Sequence, residues 1–181
     1  MNTVREYRLK DGRTLILRKA ARTDATALVG YLQQIARESN FLTFGEGEFS
    51  MSVAQEEEYI EQSLQADNRL FLVAEVDGRI VGNLSFSGGP RTRIRHMGEL
   101  GVSVIREYWG LGIGGRMLEY LIDWAKASGV IRKINLRTRE DNERAIRLYE
   151  RMGFRREGVR TRDMLVDGRF YDSVCMGIEI D

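Results

Sequence analysis

The chain has 181 residues, 43% apolar and 30% charged, which suits a single globular domain with a real core. Its 28 lysines and arginines nearly cancel its 27 aspartates and glutamates, and a net charge of +1 provides no strong field for nucleic acid or an anionic membrane. One cysteine, Cys175, excludes an internal disulfide and a cysteine-cluster metal site; with one histidine, His96, no metal site is expected.

In chain order, a turn at Asp11-Gly12 precedes a strand over residues 14–18. Thr23 or Asp24 can cap a helix whose apolar side holds Ala27, Leu28, Tyr31, Leu32 and Ile35. Residues 41–49 form a loop rich in aromatics and acids. Ser52 and Gln55 have capping-box spacing and open a helix through Tyr59, Ile60 and Leu64. Strands over residues 70–76 and 79–86 flank Asp77-Gly78, a hairpin signal, and Gly88-Gly89-Pro90 ends that pattern. Residues 93–104 are long enough for a further strand, bent at Gly98 or Gly101. After a glycine-rich turn, Met117, Leu118, Leu121, Ile122, Trp124 and Ala125 line one side of a helix that Gly129 can close. A strand over residues 133–138 follows, and Asp141 or Asn142 can cap a helix bearing Ala145, Ile146, Leu148, Tyr149 and Met152. Strands over residues 154–162 and 170–180 close the chain. No repeat, linker or low-complexity stretch divides it, so residues 1–181 are one domain with a core over about 14–180. The order implies a mixed sheet flanked by helices, an α/β (α+β) fold with parallel crossovers at the third and fourth helices.

The chemistry concentrates at Tyr108-Trp109-Gly110-Leu111-Gly112-Ile113-Gly114-Gly115, between a strand and a helix. Glycines there let the backbone approach a bulky group. The free N–H groups of the first helical turn, aided by the helix dipole, then suit a phosphate or pyrophosphate. Gly110, Gly112 and Gly115 also satisfy the dinucleotide pattern G-x-G-x-x-G. That motif places its first glycine directly at a strand end in a βαβ unit, whereas Arg106-Glu107-Tyr108-Trp109 intervenes here.

Two segments together resemble the GNAT superfamily of N-acetyltransferases. Residues 108–114 are similar to its (Gln/Arg)-x-x-Gly-x-(Gly/Ala) acetyl-CoA loop, with Trp109 where the pattern has Gln or Arg. Asn142, Ala145, Tyr149, Gly153 and Phe154 match its Asn-x-x-Ala-x-x-x-Tyr-x-x-x-Gly-Phe helix. The tail around residues 165–172 resembles the branch related to ribosomal-protein and polyamine acetyltransferases. The resemblance implies a mostly antiparallel mixed sheet of six to seven strands flanked by about four helices. It also implies acetyl transfer from acetyl-CoA, as co-substrate, to a primary amine: a small molecule, a polyamine or a peptide N-terminus. A CoA-binding sensor or interaction module with weak catalysis is the alternative.

By this resemblance, Val102, Ser103 and Val104 lie along the pantetheine arm. Trp109, Gly110, Leu111, Gly112, Ile113, Gly114 and Gly115 hold the pyrophosphate, and Asn142 contacts CoA. By spacing alone Tyr149 reads as a core aromatic on a helix stripe; by the resemblance it matches the general acid toward the CoA sulfur. Glu99 lies on the strand before the cofactor segment, facing as Gly101 and Ser103 do, and reads as the base for the amine or as an ion-paired surface acid. His96 could also serve as the base, but a lone histidine on a strand reads first as structural, and Cys175 reads as a packed thiol. Phe41, Phe44 and Glu46 are placed at the acceptor pocket, where Glu46 and Glu48 attract a cationic amine or are solvated loop charges. The arginine groups Arg91, Arg93, Arg95 and Arg151, Arg155, Arg156 read as solvated surface.

No apolar run approaches the ~20 residues that span a bilayer, and the first residues lack the apolar core of a signal peptide. A cytoplasmic protein is expected, with acetyl-CoA and an amine or peptide acceptor as partners, no nucleic acid or membrane, and homodimerisation left open.

Overall fold

The computed structural model describes residues 3–181. Strands β1 (Arg5–Arg8) and β2 (Thr14–Lys19) precede helices α1 (Ala25–Glu38) and α2 (Val53–Gln65). Strands β3 (Arg69–Val76), β4 (Arg79–Gly88) and β5 (Met97–Val104) lead to α3 (Ile113–Ser128). Then come β6 (Lys133–Arg139), α4 (Glu143–Arg151), β7 (Arg155–Val166) and β8 (Arg169–Glu179). The strands form one sheet of 8 in the order β1-β2-β3-β4-β5-β6-β8-β7. All neighbours are antiparallel except β5 and β6, which the α3 crossover joins in parallel.

The mixed, mostly antiparallel sheet and its four helices match the expected fold, with one strand more than the six to seven expected. The addition is β1, whose sequence Arg-Glu-Tyr-Arg hides a strand behind charge. As an edge strand its side chains are only half covered: Arg5 reaches Asp123 on α3 at 2.8 Å, and Gly12 at φ 89° turns the chain into β2. β5 starts at Met97, not at residue 93, because residues 89–96 turn back on themselves, with Gly89 N–H donating to Met97 O at 2.9 Å. The α4 crossover leaves a gap that β8 fills, so β7 lies beyond β8 instead of beside β6.

Local signals act much as their chemistry dictates. Ser52 and Gln55 close a reciprocal capping box at α2. Asp77 and Gly78, both at positive φ, turn β3 into β4. Asn142 caps α4. Asp24 precedes α1 but does not cap it with its side chain; its carboxylate takes Arg18 at 2.7 and 2.9 Å and Ala21 N–H at 2.7 Å.

Direct cross-strand partners share a face of the sheet. Val73, Asn83 and Ser103 form one such row, and Phe71, Ser85 and Gly101 the next. Helices α1 and α2 cover this face: the Tyr31 hydroxyl meets Ser103 Oγ at 2.9 Å, and the Tyr59 ring sits edge-on to Phe71 at 5.3 Å. Helix α3 covers the other face, where Trp124 meets Phe86 edge-on and Met117, Leu118 and Leu121 are fully buried.

Candidate active site

The site arises where the parallel pair comes apart. β5 and β6 pair only at Met97↔Lys133, Gly98↔Ile134 and Glu99↔Asn135, although both strands continue. Beyond Glu99 they splay, and a cleft of about 1160 Å³ opens between them. Backbone groups alternate in direction along a strand. Met97 O accepts Gly89 N–H and Ile105 N–H donates to Val81 O, so odd-numbered residues of β5 turn toward β4. The N–H and C=O of Leu100 and Val102 therefore face the gap, with no strand opposite them. They are ready-made partners for an extended, amide-bearing ligand.

The glycine turn closes one end of this cleft. Gly110 and Gly112 sit at φ 82° and 84°, and an added Cβ at either would meet nothing within 4 Å. Left-handed backbone, rather than crowding, requires glycine there. Gly112 is the N-cap of α3 and has no side chain to offer, so the N–H groups of Ile113, Gly114 and Gly115 stay free at the cleft wall. Leu148 of α4 lies close behind Gly114 and Gly115.

Trp109 has a defined role at this turn. Its indole N–H donates to Val104 O at 2.7 Å, and its ring lies under the guanidinium groups of Arg144 and Arg106 at 5.1 and 5.6 Å. It stitches the turn to the end of β5 and holds one arginine, Arg144, at the cleft.

Most residues expected at the site line this one cleft: Glu99, Val102, Ser103, Val104, Trp109, Gly110, Gly112, Ile113, Gly114, Gly115, Asn142, Tyr149, Phe41 and Phe44. Two do not. Leu111 packs against the core instead, and Glu46 is drawn out of the cleft by an ion pair with Arg37 at 3.0 Å. Glu48 accepts the Gly45 N–H. Ser103 is present, but its hydroxyl is committed to Tyr31 and Asn83 and its backbone groups point at β4. Leu100 takes its place as a backbone donor and acceptor toward the gap. His96 and Cys175 stand outside the lining.

Tyr149 is 8% exposed and packs on Phe154, with no hydrogen-bond partner for its hydroxyl among the described residues. Burial pushes its phenol up to about 12. Glu99 is paired with Arg137 at 3.5 Å and remains half exposed, so it is both an ion-paired acid and a wall of the cleft. Phe41 is positioned by Arg139, whose guanidinium stacks on the Phe41 and Tyr171 rings and forks onto Asp141 at 2.9 and 2.6 Å. That guanidinium holds the Asp141 carboxyl below its usual range.

Leu100, Arg137, Arg144 and Glu56 line the cleft without having been expected there, and Glu56 is the most unusual of them. Glu56 on α2 is 2% exposed, and its Oε1 has no hydrogen-bond partner among the described residues. Burial pushes its carboxyl up. The signal was present: Glu56 falls with Ile60 and Ser63 on the buried stripe of α2.

Comparison with known proteins places this architecture. The sequence profile of the acetyltransferase (GNAT) family matches residues 31–154. The N-alpha-acetyltransferase RimI of Mycobacterium tuberculosis is 34% identical over 107 residues, covering 59% of this chain and 65% of that protein. The chain thus spans just under two thirds of that relative. An acetyltransferase of the GNAT family from Streptococcus pneumoniae superposes with a TM-score of 0.89 at 31% identity, covering 92% of this chain and 99% of its own. YncA from Salmonella typhimurium, solved with its cofactor acetyl-CoA, superposes at 0.81 with 21% identity, covering 92% and 94%, a likeness of fold.

Proposed function

The chain belongs to the acetyltransferase (GNAT) family, and from that premise we propose that it moves the acetyl group of acetyl-CoA to a primary amine by direct attack. The observation that carries this reading is the splayed β5–β6 pair opening onto the free first turn of α3. The fit to CoA is chemical. The N–H groups of Ile113, Gly114 and Gly115 and the Arg144 guanidinium suit a pyrophosphate. The edge of β5 at Leu100 and Val102 suits the amides of a pantetheine arm. Asn142 and Trp109 border the same wall. Acetyl-CoA supplies an activated thioester carbonyl whose oxygen gains charge when an amine attacks; a backbone N–H of β5 would stabilise that charge.

The chain's own groups handle two protons. A primary amine is mostly protonated at neutral pH, with a pKa of ~10.4, and must lose a proton to attack. Glu99 takes that proton directly or through water, and Arg137 beside it, at 3.5 Å, holds the carboxylate in place. The thiolate that leaves is stabilised by the Tyr149 hydroxyl, which has no competing partner on the protein. A phenol raised to about 12 stays protonated throughout the working range. It is a poor donor of a whole proton to a thiolate of pKa ~8.5, so its contribution is foremost a hydrogen bond to the sulfur, with the proton completed from solvent.

The test is thiol release from acetyl-CoA with a panel of amines, amino acids and peptides, beside calorimetric binding of acetyl-CoA. Turnover with at least one amine class is expected. Tight acetyl-CoA binding with no thiol release for any acceptor would instead identify a CoA-binding sensor.

A further inference from the structure

The acceptor end of the cleft carries a feature that amine acetylation does not use. Carboxylates lining the cleft are otherwise committed: Glu38 accepts from Arg106 N–H and Gln34, Asp141 from Arg139, Glu143 from Arg147, and Glu99 pairs with Arg137. Glu56 alone has no ion-pair or hydrogen-bond partner among the described residues, and it is 2% exposed. Burying a carboxyl without a partner is costly, so a position of this kind is held for a ligand or is a defect.

The surroundings of Glu56 argue for a ligand. Tyr59, one turn along α2, stands edge-on to Phe71 at 5.3 Å, and Phe44 and Phe49 form a second ring pair at 5.6 Å. All four rings line the same cleft as Glu56. A carboxylate among aromatic faces is the chemistry that receives an alkylammonium: the charge meets the acid, and the methylenes and the ammonium flank meet the rings. An anionic group is repelled there, and a neutral donor lacks the charge attraction that an ammonium brings.

The sheet supplies the spacing. Phe71, Ser85 and Gly101 lie directly opposite one another on β3, β4 and β5. Adjacent strands are about 4.8 Å apart, so Phe71, against which Tyr59 of α2 packs, is on the order of 10 Å from β5, the strand at which the amine would react. Ser85 and the open surface of Gly101 line the path between them.

We propose that Glu56, with Tyr59 and Phe71, binds a second cationic group of the acceptor, so that the preferred substrates are diamines and polyamines rather than simple monoamines. This rests on the acetyl-transfer reading above for what happens to the first amine, but not for binding of the second.

The experiment separates the two. Binding of 1,8-diaminooctane and of octylamine to the CoA-saturated protein is measured by calorimetry, for wild type and Glu56→Gln. Gln keeps the shape and removes the buried charge, so the variant is expected to fold, and thermal unfolding checks this. Wild type is expected to bind the diamine at least about tenfold more tightly than the monoamine. Glu56→Gln is expected to abolish that preference by weakening the diamine more than octylamine. In turnover, the variant is expected to raise KM for the diamine with kcat within about twofold. No diamine preference in wild type, or a preference that survives Glu56→Gln, overturns the proposal, as does a loss confined to kcat, which would make Glu56 a base. Glu56-dependent diamine binding without thiol release from acetyl-CoA would uphold the subsite and sink the acetyl-transfer reading alone.

Discussion

The Trp109 indole N–H and the Val104 carbonyl, 2.7 Å apart, join the glycine turn to the last residue of β5. This bond fixes the distance between two surfaces that one CoA molecule would touch together, the strand edge and the first turn of α3. Trp109→Phe keeps an aromatic ring beneath Arg144 and Arg106, removes the donor and reduces the ring area. It is expected to cost about 1 kcal/mol of stability. Acetyl-CoA affinity is expected to fall by about fivefold, read by calorimetry. Unchanged affinity with lowered stability would make the bond purely structural.

Gly112 separates backbone strain from charge. An added Cβ has open space around it, but φ of 84° suits glycine alone. Gly112→Ala is expected to lower stability by about 1–2 kcal/mol. Gly112→Asp carries the same strain and adds a negative group facing the proposed pyrophosphate site. Its acetyl-CoA affinity is expected to fall at least about tenfold below that of the alanine variant, about 1.4 kcal/mol. Equal affinities for the two folded variants would move the phosphates elsewhere.

Much of this site was legible because its parts are local. The glycine turn, the Asn142 cap and the Ser52–Gln55 box each depend on residues within one turn of chain, and their chemistry shows in the residue types. β1 was hidden because an edge strand needs no apolar alternation when Arg5 finds Asp123 on a distant helix. Glu46 looked like a cleft residue by its place in the aromatic loop, but Arg37 on α1 claims it, a pairing set by folding. Glu56 was lost in the run Glu56-Glu57-Glu58: Glu57 pairs with Arg22 at the surface, whereas helical geometry turns Glu56 inward. A charge run announces a solvated face, and only the packing shows which member is not solvated.

Tyr149→Phe removes a hydroxyl and keeps the ring against Phe154. With no protein partner lost, stability and acetyl-CoA affinity are expected to change little. The kcat is expected to fall by roughly 100-fold, the low end for losing one hydrogen-bond donor to charge that develops in the transition state. Because the phenol is pushed up to about 12, the wild-type rate is expected to show no alkaline limb from this group below about pH 10. A lowered Tm with intact turnover would return Tyr149 to the status of a core aromatic.

Glu99→Gln distinguishes a base from an anchor. If Glu99 takes the amine proton, the loss is largest near neutral pH, where the acceptor is mostly ammonium. It shrinks as pH approaches the amine's own pKa of ~10.4. If Glu99 attracts the acceptor electrostatically, KM rises with little change in kcat. Superimposable pH–rate profiles of wild type and variant would remove Glu99 from the reaction and leave it as the partner of Arg137.

Glu56 also carries a signature that needs no substrate. Its folded carboxyl is raised above the ordinary 4.5 by burial, so the folded protein holds this proton more tightly than the unfolded chain does. Folding is thus favoured by the protonated form: the contribution is fully present below about pH 4.5 and is lost as pH rises through the folded value. At pH 7 that contribution is diminished, and the unpartnered buried group is a net burden. Glu56→Gln is therefore expected to raise Tm at pH 7 by about 2–4 °C, and the gain is expected to disappear as pH is lowered toward 4.5. A diamine that supplies the missing cation is expected to raise the Tm of wild type at pH 7 but not that of the variant. Thermal unfolding of both proteins at pH 4.5 and 7, with and without 1,8-diaminooctane, reads all of these at once. A variant less stable than wild type at pH 7 would mean that the carboxylate already has a partner in solution, and the position would then be structural.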